Sequence, residues 1–416
     1  MYYWKRLSHD EQDRRISQAL QQNIDYKETL SLGIPASRLD PLVFYDQAGF
    51  LKEAPLLRTI IQNPNHIGCH TIGDSEHFFR GTQQIEREVI ELLAVDLLKA
   101  DHMGCDGFIA AGGTEANLEA AWIYRNYFLR EKGAAFSEIA LLASEDTHYS
   151  VAKAANILHL NWLSVPVDDE SRLVEPEALE QVLDRAQAAG YKYFIVIANM
   201  GTTMFGSVDD PAVYTGALKR RNLDFKMHVD GAFGGFVYPV SEPENNLNFT
   251  NADVCSITLD AHKMLQAPYG TGVFLIRKGL IQYALTKEAQ YVQGMDLTVN
   301  GSRSGANAIA VWMILMTYGP YGWLEKINKL LYRTKWAARK LEKMGVPFYR
   351  HPRMNIITMR ANEAVGALAH QYGLVPDSHG ADAKWFKIVV MDHVELDHLE
   401  DFLRDLEKEL AKQTAA

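Results

Sequence analysis

What most constrains the fold is the alternation, through the middle of the chain, of short β-branched runs with longer helical stretches. Strands spaced in this way are joined by crossover helices, which predicts a mostly parallel sheet covered by helices on both faces. The expected strands are 138–143, 193–199, 225–230, 253–259 and 272–277. Ligands of open parallel sheets sit beyond the strands' carboxyl ends, so the residues just after each run carry the chemistry.

From about Arg303 the pattern changes. An apolar helical stretch passes through Trp312 and Leu330, strands are expected at 355–360 and 385–391, and a charged helix closes the chain over 396–410. This predicts a small α+β domain over 303–416 after a large domain over 61–302. Residues 1–60, broken by Pro35, Pro41 and Pro55, read as a mostly helical arm.

Fifty-two acidic residues against 42 basic ones give a net charge of −10, so no global basic field exists to attract nucleic acid or an anionic membrane. The start, MYYWKRLSHDEQDRR, is polar where a secretory signal is apolar, and no run is long enough to span a bilayer, so a cytoplasmic location is expected. Cys69, Cys105 and Cys255 lack metal-ligand spacing and read as reduced, buried thiols.

Five clusters follow the expected strands or open a helix. Asp260-Ala261-His262-Lys263 ends one strand and precedes the loop Gln266-Ala267-Pro268-Tyr269-Gly270-Thr271-Gly272. An amine withdrawn from water there sheds its proton more readily and becomes able to condense with an aldehyde. Taken alone, a lysine after a strand is a solvated strand end, so its companions decide.

His228-Val229-Asp230-Gly231-Ala232 ends the neighbouring run, placing a carboxylate 33 positions before Lys263, counted from 230 to 263. Pyridoxal 5′-phosphate (PLP) requires such a carboxylate against its pyridine nitrogen, because the protonated ring is an electron sink. The small Gly231 and Ala232 let a flat ring lie close. A turn aspartate is the bland alternative, and the lysine in register outweighs it.

Gly112-Gly113-Thr114 opens a helical run from Glu115 towards Leu129, where free backbone amides and the Thr114 hydroxyl suit a phosphate. His148 offers a flat ring to stack on the cofactor and to reach the substrate carboxylate or a proton in transit. Thr202, in Asn199-Met200-Gly201-Thr202-Thr203, offers a hydroxyl to the ring oxygen or a carboxylate.

In this order the five clusters resemble the group II PLP-dependent amino acid decarboxylases. The phrases carrying the resemblance are Gly-Gly-Thr-Glu-Ala-Asn at 112–117, Asp-Thr-His-Tyr-Ser-Val-Ala-Lys at 146–153 and Gly-Thr-Thr at 201–203. Asp-Ala-His-Lys-Met at 260–264 and Gly-Ser-Arg-Ser-Gly at 301–305 complete them. The likeness runs from Gly73-Asp74 to Val394, nearest to short prokaryotic members such as tyrosine/aspartate and histidine decarboxylases. The chain departs at Asp392, often proline there, and at Gly231, often alanine.

The resemblance implies fold type I, the aspartate aminotransferase-like architecture, with a mostly parallel seven-stranded sheet. It implies PLP as cofactor, with Lys263 as the Schiff-base lysine, Asp230 on the pyridinium, His148 stacked on the ring and Ala232 beside it. Thr202 would lie on the substrate side, and Gly113, Thr114 and His262 would bind phosphate. It further implies a homodimer with active sites at the interface and Ser302 serving the neighbour's phosphate.

Segment 288–296 looks like the mobile loop that presents a tyrosine in relatives, making Tyr291 the candidate general acid; a plain surface tyrosine is the alternative. The expected reaction is removal of the α-carboxylate of an acidic or aromatic L-amino acid, such as aspartate, glutamate, tyrosine or histidine. Another fold type I reaction, transamination or carbon–carbon lysis, is the alternative. For the substrate pocket, His66, His70, His77 and Arg80 would suit an acidic side chain, and Phe78, Phe79 and Tyr291 an aromatic one.

Overall fold

The computed structural model of the protein describes residues 4–23, 54–72, 76–285, 295–379 and 383–415. The chain begins with α1 (His9–Gln21), α2 (Pro55–Gln62), β1 (Asn65–Ile67) and α3 (Arg80–Leu92). Strands and helices then alternate: β2 (Cys105–Ala110), α4 (Gly113–Glu131), β3 (Ile139–Ser144), α5 (Tyr149–Leu158), β4 (Asn161–Val165) and α6 (Pro176–Ala188). The series continues through β5 (Tyr193–Asn199), α7 (Pro211–Arg220), β6 (Asp224–Gly231), α8 (Tyr238–Ser241), β7 (Val254–Asp260) and β8 (Gly272–Arg277).

Strands β2 to β8 form one seven-stranded sheet in the order β2-β8-β7-β6-β5-β3-β4. Only β8 runs antiparallel to its neighbours, so β2, β3, β5, β6 and β7 all present their carboxyl ends on one side. Side chains alternate across it as strand geometry requires. Leu142, Val196, Val229 and Ile257 enter the core beneath α3, α6 and α9, whereas Leu141, Ile195 and Phe274 enter the one under α4 and α5. The expected strands are found with ends shifted by one or two residues.

Beyond the sheet come β9 (Ser302–Ser304), the 39-residue α9 (Gly305–Lys343), β10 (Phe348–Tyr349), β11 (Ile356–Arg360), α10 (Glu363–Ala369), β12 (Val375–Pro376), β13 (Trp385–Val389) and α11 (Leu396–Ala415). β10 to β13 form a four-stranded antiparallel sheet in the order β10-β11-β13-β12. Helix α9 serves both bodies. Its Trp312, Leu315, Trp323 and Leu330 join the large core, and Ala337, Ala338 and Leu341 pack against the small sheet. Near its middle Gly319 has φ 61° and Pro320 follows, which kinks the helix where a Cβ would stand 2.6 Å from the Arg6 nitrogen.

Candidate active site

The carboxyl ends of β2, β3, β5, β6 and β7 converge on a cavity of about 690 Å³ lined by Gly112, Gly113, Thr114, His148, Ala232, His262 and Lys263. A narrower recess joins His148, Ala232 and Lys263 to Thr202 and Asp230. Register explains the meeting: Asn199 on β5 pairs with Asp230 on β6, which pairs with Thr258 on β7, two residues before Asp260. Nine of the ten expected site residues fall among those described; Tyr291 lies outside them.

Lys263 is 36% exposed at its side chain, with Nζ 3.0 Å from Asp260 Oδ2. It is therefore ion-paired at the cavity wall and not enclosed in apolar surroundings. Asp260, buried at the end of β7, also stands 3.5 Å from His262 Nε2. Asp260 had no expected role; the structure makes it the shared neighbour of Lys263 and His262.

Asp230 accepts from Asn117 Nδ2 at 2.8 Å and from Ala232 N at 3.1 Å, with its carboxylate at the recess floor. His148 caps α5, and its Nδ1 lies 2.9 Å from Ser150 Oγ. Burial, opposed by Asp230 and assisted by Lys263, pushes His148 below its ordinary range. Thr202 is buried, with its hydroxyl 2.6 Å from Ser207 Oγ. Ser302 is exposed on β9 and stands outside the cavity lining.

The residues fit PLP. Helix α4 has no side-chain cap, leaving its first amides free to meet an anion. A Cβ on Gly113 would stand 3.0 Å from both Ala232 Cβ and Asp260 Oδ2, and one on Gly112 would stand 3.3 Å from His262 Cε1, so only glycines keep this cradle open. Among the described residues His262 Nδ1 is buried without a hydrogen-bond partner, so a hydrogen carried there would be available to a phosphate.

The pocket residues expected around His66 are placed elsewhere. His66 and His70 are buried and turned onto Glu86, at 2.8 Å and 3.9 Å, and neither lines the cavity. Phe79 is buried, and His77 and Arg80 are exposed away from that lining. A buried acid on α3 claimed both imidazoles, which a segment read by residue type could not reveal.

Lys387 had no expected role and lies outside the lining of both the cavity and the recess. From β13 its Nζ reaches the Thr203 carbonyl at 2.6 Å, and burial, then the Lys263 charge, push its amine below the ordinary range. The signal was present as a lysine inside an apolar strand, where a solvated cation is out of place. Arg353 and Arg360 of the same domain pair with Glu242 and Asp169.

An amine, a carboxylate beneath a flat site and an anion-binding helix terminus at the ends of one parallel sheet define a fold type I PLP-dependent enzyme. Residues 82–352 match the pyridoxal-dependent decarboxylase conserved domain. Over 408 residues the chain is 50% identical to a tryptophan decarboxylase of Clostridium sporogenes, covering 98% of each. It is 32% identical to an L-aspartate decarboxylase of Thermococcus kodakarensis over 80% of this chain and 84% of that one. A crystal structure of Oryza sativa TDC with PLP and tryptamine superposes with TM-score 0.71 at 16% identity, covering 97% of this chain and 95% of that one. The chain belongs to the pyridoxal-dependent decarboxylases. It is a PLP-dependent amino acid decarboxylase, as the order of the five clusters predicts.

Proposed function

We propose that the substrate is an aromatic L-amino acid, tryptophan first, converted to tryptamine and CO₂ by a cytoplasmic homodimer. The observation that carries this reading is the near end-to-end 50% identity to a tryptophan decarboxylase, against 32% for the aspartate enzyme. The cavity mouth agrees with an aromatic guest and a covering subunit. Tyr149, Ile157, Tyr269 and Val299 line it and are exposed, Tyr269 to 89%, an apolar rim of the kind that marks a binding surface. The three cysteines are free and buried, in keeping with a reducing compartment.

When bound, PLP supplies the electron sink for the charge left at Cα as CO₂ departs. Lys263 would supply the amine that holds the cofactor. Asp230, its own oxygens held by Asn117 and Ala232, would keep a positive ring nitrogen in place. Gly113, Thr114 and His262 would hold the phosphate, and His148 would offer its ring as a stacking surface. In this reading Ser302 reaches the partner's phosphate and Tyr291 delivers the proton to Cα.

Lys387 is the small-domain cation for the substrate carboxylate. A single ammonium already shared with the Thr203 carbonyl holds that group less firmly than a forked guanidinium would, which suits a carboxylate that must leave. Lys387→Met is expected to lower kcat/KM roughly ten- to hundredfold, the worth of one charged hydrogen bond. Steady-state CO₂ release checks this, and an unchanged kcat/KM removes Lys387 from the site.

The substrate test is a panel of amino acids given to the PLP-loaded enzyme with amine and CO₂ measured. Tryptophan is expected to exceed aspartate in kcat/KM by at least about a hundredfold, since an indole pocket leaves a carboxylate side chain desolvated and unpaired. A preference for aspartate would overturn the aromatic assignment.

A further inference from the structure

A chain of hydrogen bonds behind the cavity fixes the proton positions on His148. Its Nδ1 lies 2.9 Å from Ser150 Oγ and 3.3 Å from the Ser150 backbone nitrogen. A backbone N–H only donates, so Nδ1 is an acceptor. Ser150 Oγ accepts from Asn117 Nδ2 at 3.0 Å, leaving its own hydrogen for His148.

Asn117 is the branch point. Its Nδ2 also donates to Asp230 Oδ2 at 2.8 Å, and its Oδ1 faces His228 Nε2 at 2.9 Å. Turning the amide over would set oxygen against carboxylate oxygen, so this orientation is the one the partners permit. His228 then carries its hydrogen on Nε2, which also has Thr258 Oγ1 at 3.1 Å. Its Nδ1 accepts from Ser256 Oγ at 2.7 Å, and Ser256 accepts from the Tyr124 hydroxyl. Burial pushes His228 down to about 4, in agreement with a neutral ring. Asn117, Ser150, His228, Ser256 and Tyr124 are all buried.

We propose that Asn117 and Ser150 are positioning residues that lock His148 as the neutral Nε2–H tautomer. His148 then serves as a hydrogen-bond donor and a stacking surface, and it is not the source of the proton delivered to Cα. This rests on the placement of His148 over the cofactor ring. Charging the imidazole requires a hydrogen on Nδ1, where two donors already point. Among the described residues, the other groups facing the ring are Asp230 from β6, Asp260 at the end of β7, Lys263 after it, and Lys153 and the Tyr149 ring from α5. The two acids favour a charged ring, whereas the two lysines and the Ser150 donors oppose it.

The test uses full-length protein with ring-¹⁵N-labelled histidine, with and without PLP, across about pH 6 to 8, where a free imidazole titrates. His148 is assigned by the signal lost in His148→Gln. In the wild type one protonated Nε2 and one bare Nδ1 are expected throughout. Ser150→Ala is expected to raise the Nδ1-protonated population roughly tenfold, the effect of one lost hydrogen bond, and to bring a histidine titration into the pH profile of the holoenzyme's absorption. Ser150→Thr, which keeps the hydroxyl, restores the wild-type pattern.

A wild-type His148 that is Nδ1-protonated or doubly protonated at pH 7 overturns the proposal without need of any variant. So does a Ser150→Ala protein whose spectra superimpose on the wild type. The CO₂ assay run alongside keeps the readings apart: absence of decarboxylation with the expected tautomer refutes the substrate assignment and supports the tautomer lock.

Discussion

Lys263→Ala is expected to remove the visible absorption of the PLP-treated protein and to lower decarboxylation by at least roughly a thousandfold, the scale seen when the covalent residue of an active site is deleted. The structure separates this amine's chemistry from its charge. Asp260 Oδ2 stands 3.0 Å from Lys263 Nζ, so Lys263→Arg keeps a cation beside the buried acid and keeps local packing, yet a guanidinium cannot take over the amine's role. Both variants should lose the band. They should differ in stability, because only alanine takes the cation at 3.0 Å away from the buried Asp260. Absorption spectra and thermal melts of the two proteins check this. A Lys263→Ala protein that keeps both band and turnover would move the assignment to another lysine, with Lys387 the next to examine.

Much of the site was legible because it lies at strand ends, where a change from apolar run to polar cluster shows in the sequence itself. Asp230, Lys263, His148 and Thr202 each follow such a run, and the parallel sheet carries them to one edge. Residues whose role depends on register were not legible. Asn117 lies inside α4 and His228 inside β6, beside a register shift between Met227 and His228, and nothing local distinguishes them from ordinary polar positions. β2 and β4 were missed for opposite reasons. Cys105–Ala110 carries Asp106 and Gly107 within a fully buried strand, and Asn161–Val165 is an edge strand, mostly exposed. Propensity is weakest where tertiary contacts decide.

The histidines before α3 illustrate the same limit and lead to the largest expected loss of stability. Glu86 is 2% exposed at its side chain, where it meets Arg303 and His66 Nδ1, and one of its oxygens accepts from Ile109 N at 2.8 Å. Strand β1 pairs with β9 so that His66 lies opposite Arg303, which turns the guanidinium inward onto Glu86 and leaves Ser302 and Ser304 exposed. Glu86→Leu strands a buried guanidinium and is expected to cost about 3–5 kcal/mol. For a chain of this length that corresponds to a fall of about 3–6 °C in Tm. Glu86→Leu combined with Arg303→Met should recover part of the loss, since the unpaired charge is then gone. If Ser302 serves the partner's phosphate, the single variant should also release PLP faster.

The same cluster sets an acid limit with a definite sign. Burial raises the Glu86 carboxyl, but Arg303 and then His66 more than reverse this, leaving it well below 4.5, so its contribution is complete above about pH 4.5 and is lost as pH falls through the folded value. His70 is pushed from 6.5 down to about 3, mainly by burial. The unfolded chain therefore binds a proton at His70 below pH 6.5 that the folded one refuses, and stability falls by about 1.4 kcal/mol per pH unit for each such histidine. His228, pushed down to about 4, adds a second. Tm is expected to decline from about pH 6.5 downward, and more steeply below about 4.5 as Glu86 joins. His70→Asn should flatten the first part of that decline and leave the second. A melt series whose acid limb is unchanged in His70→Asn would show that the imidazole gains its proton without leaving the fold.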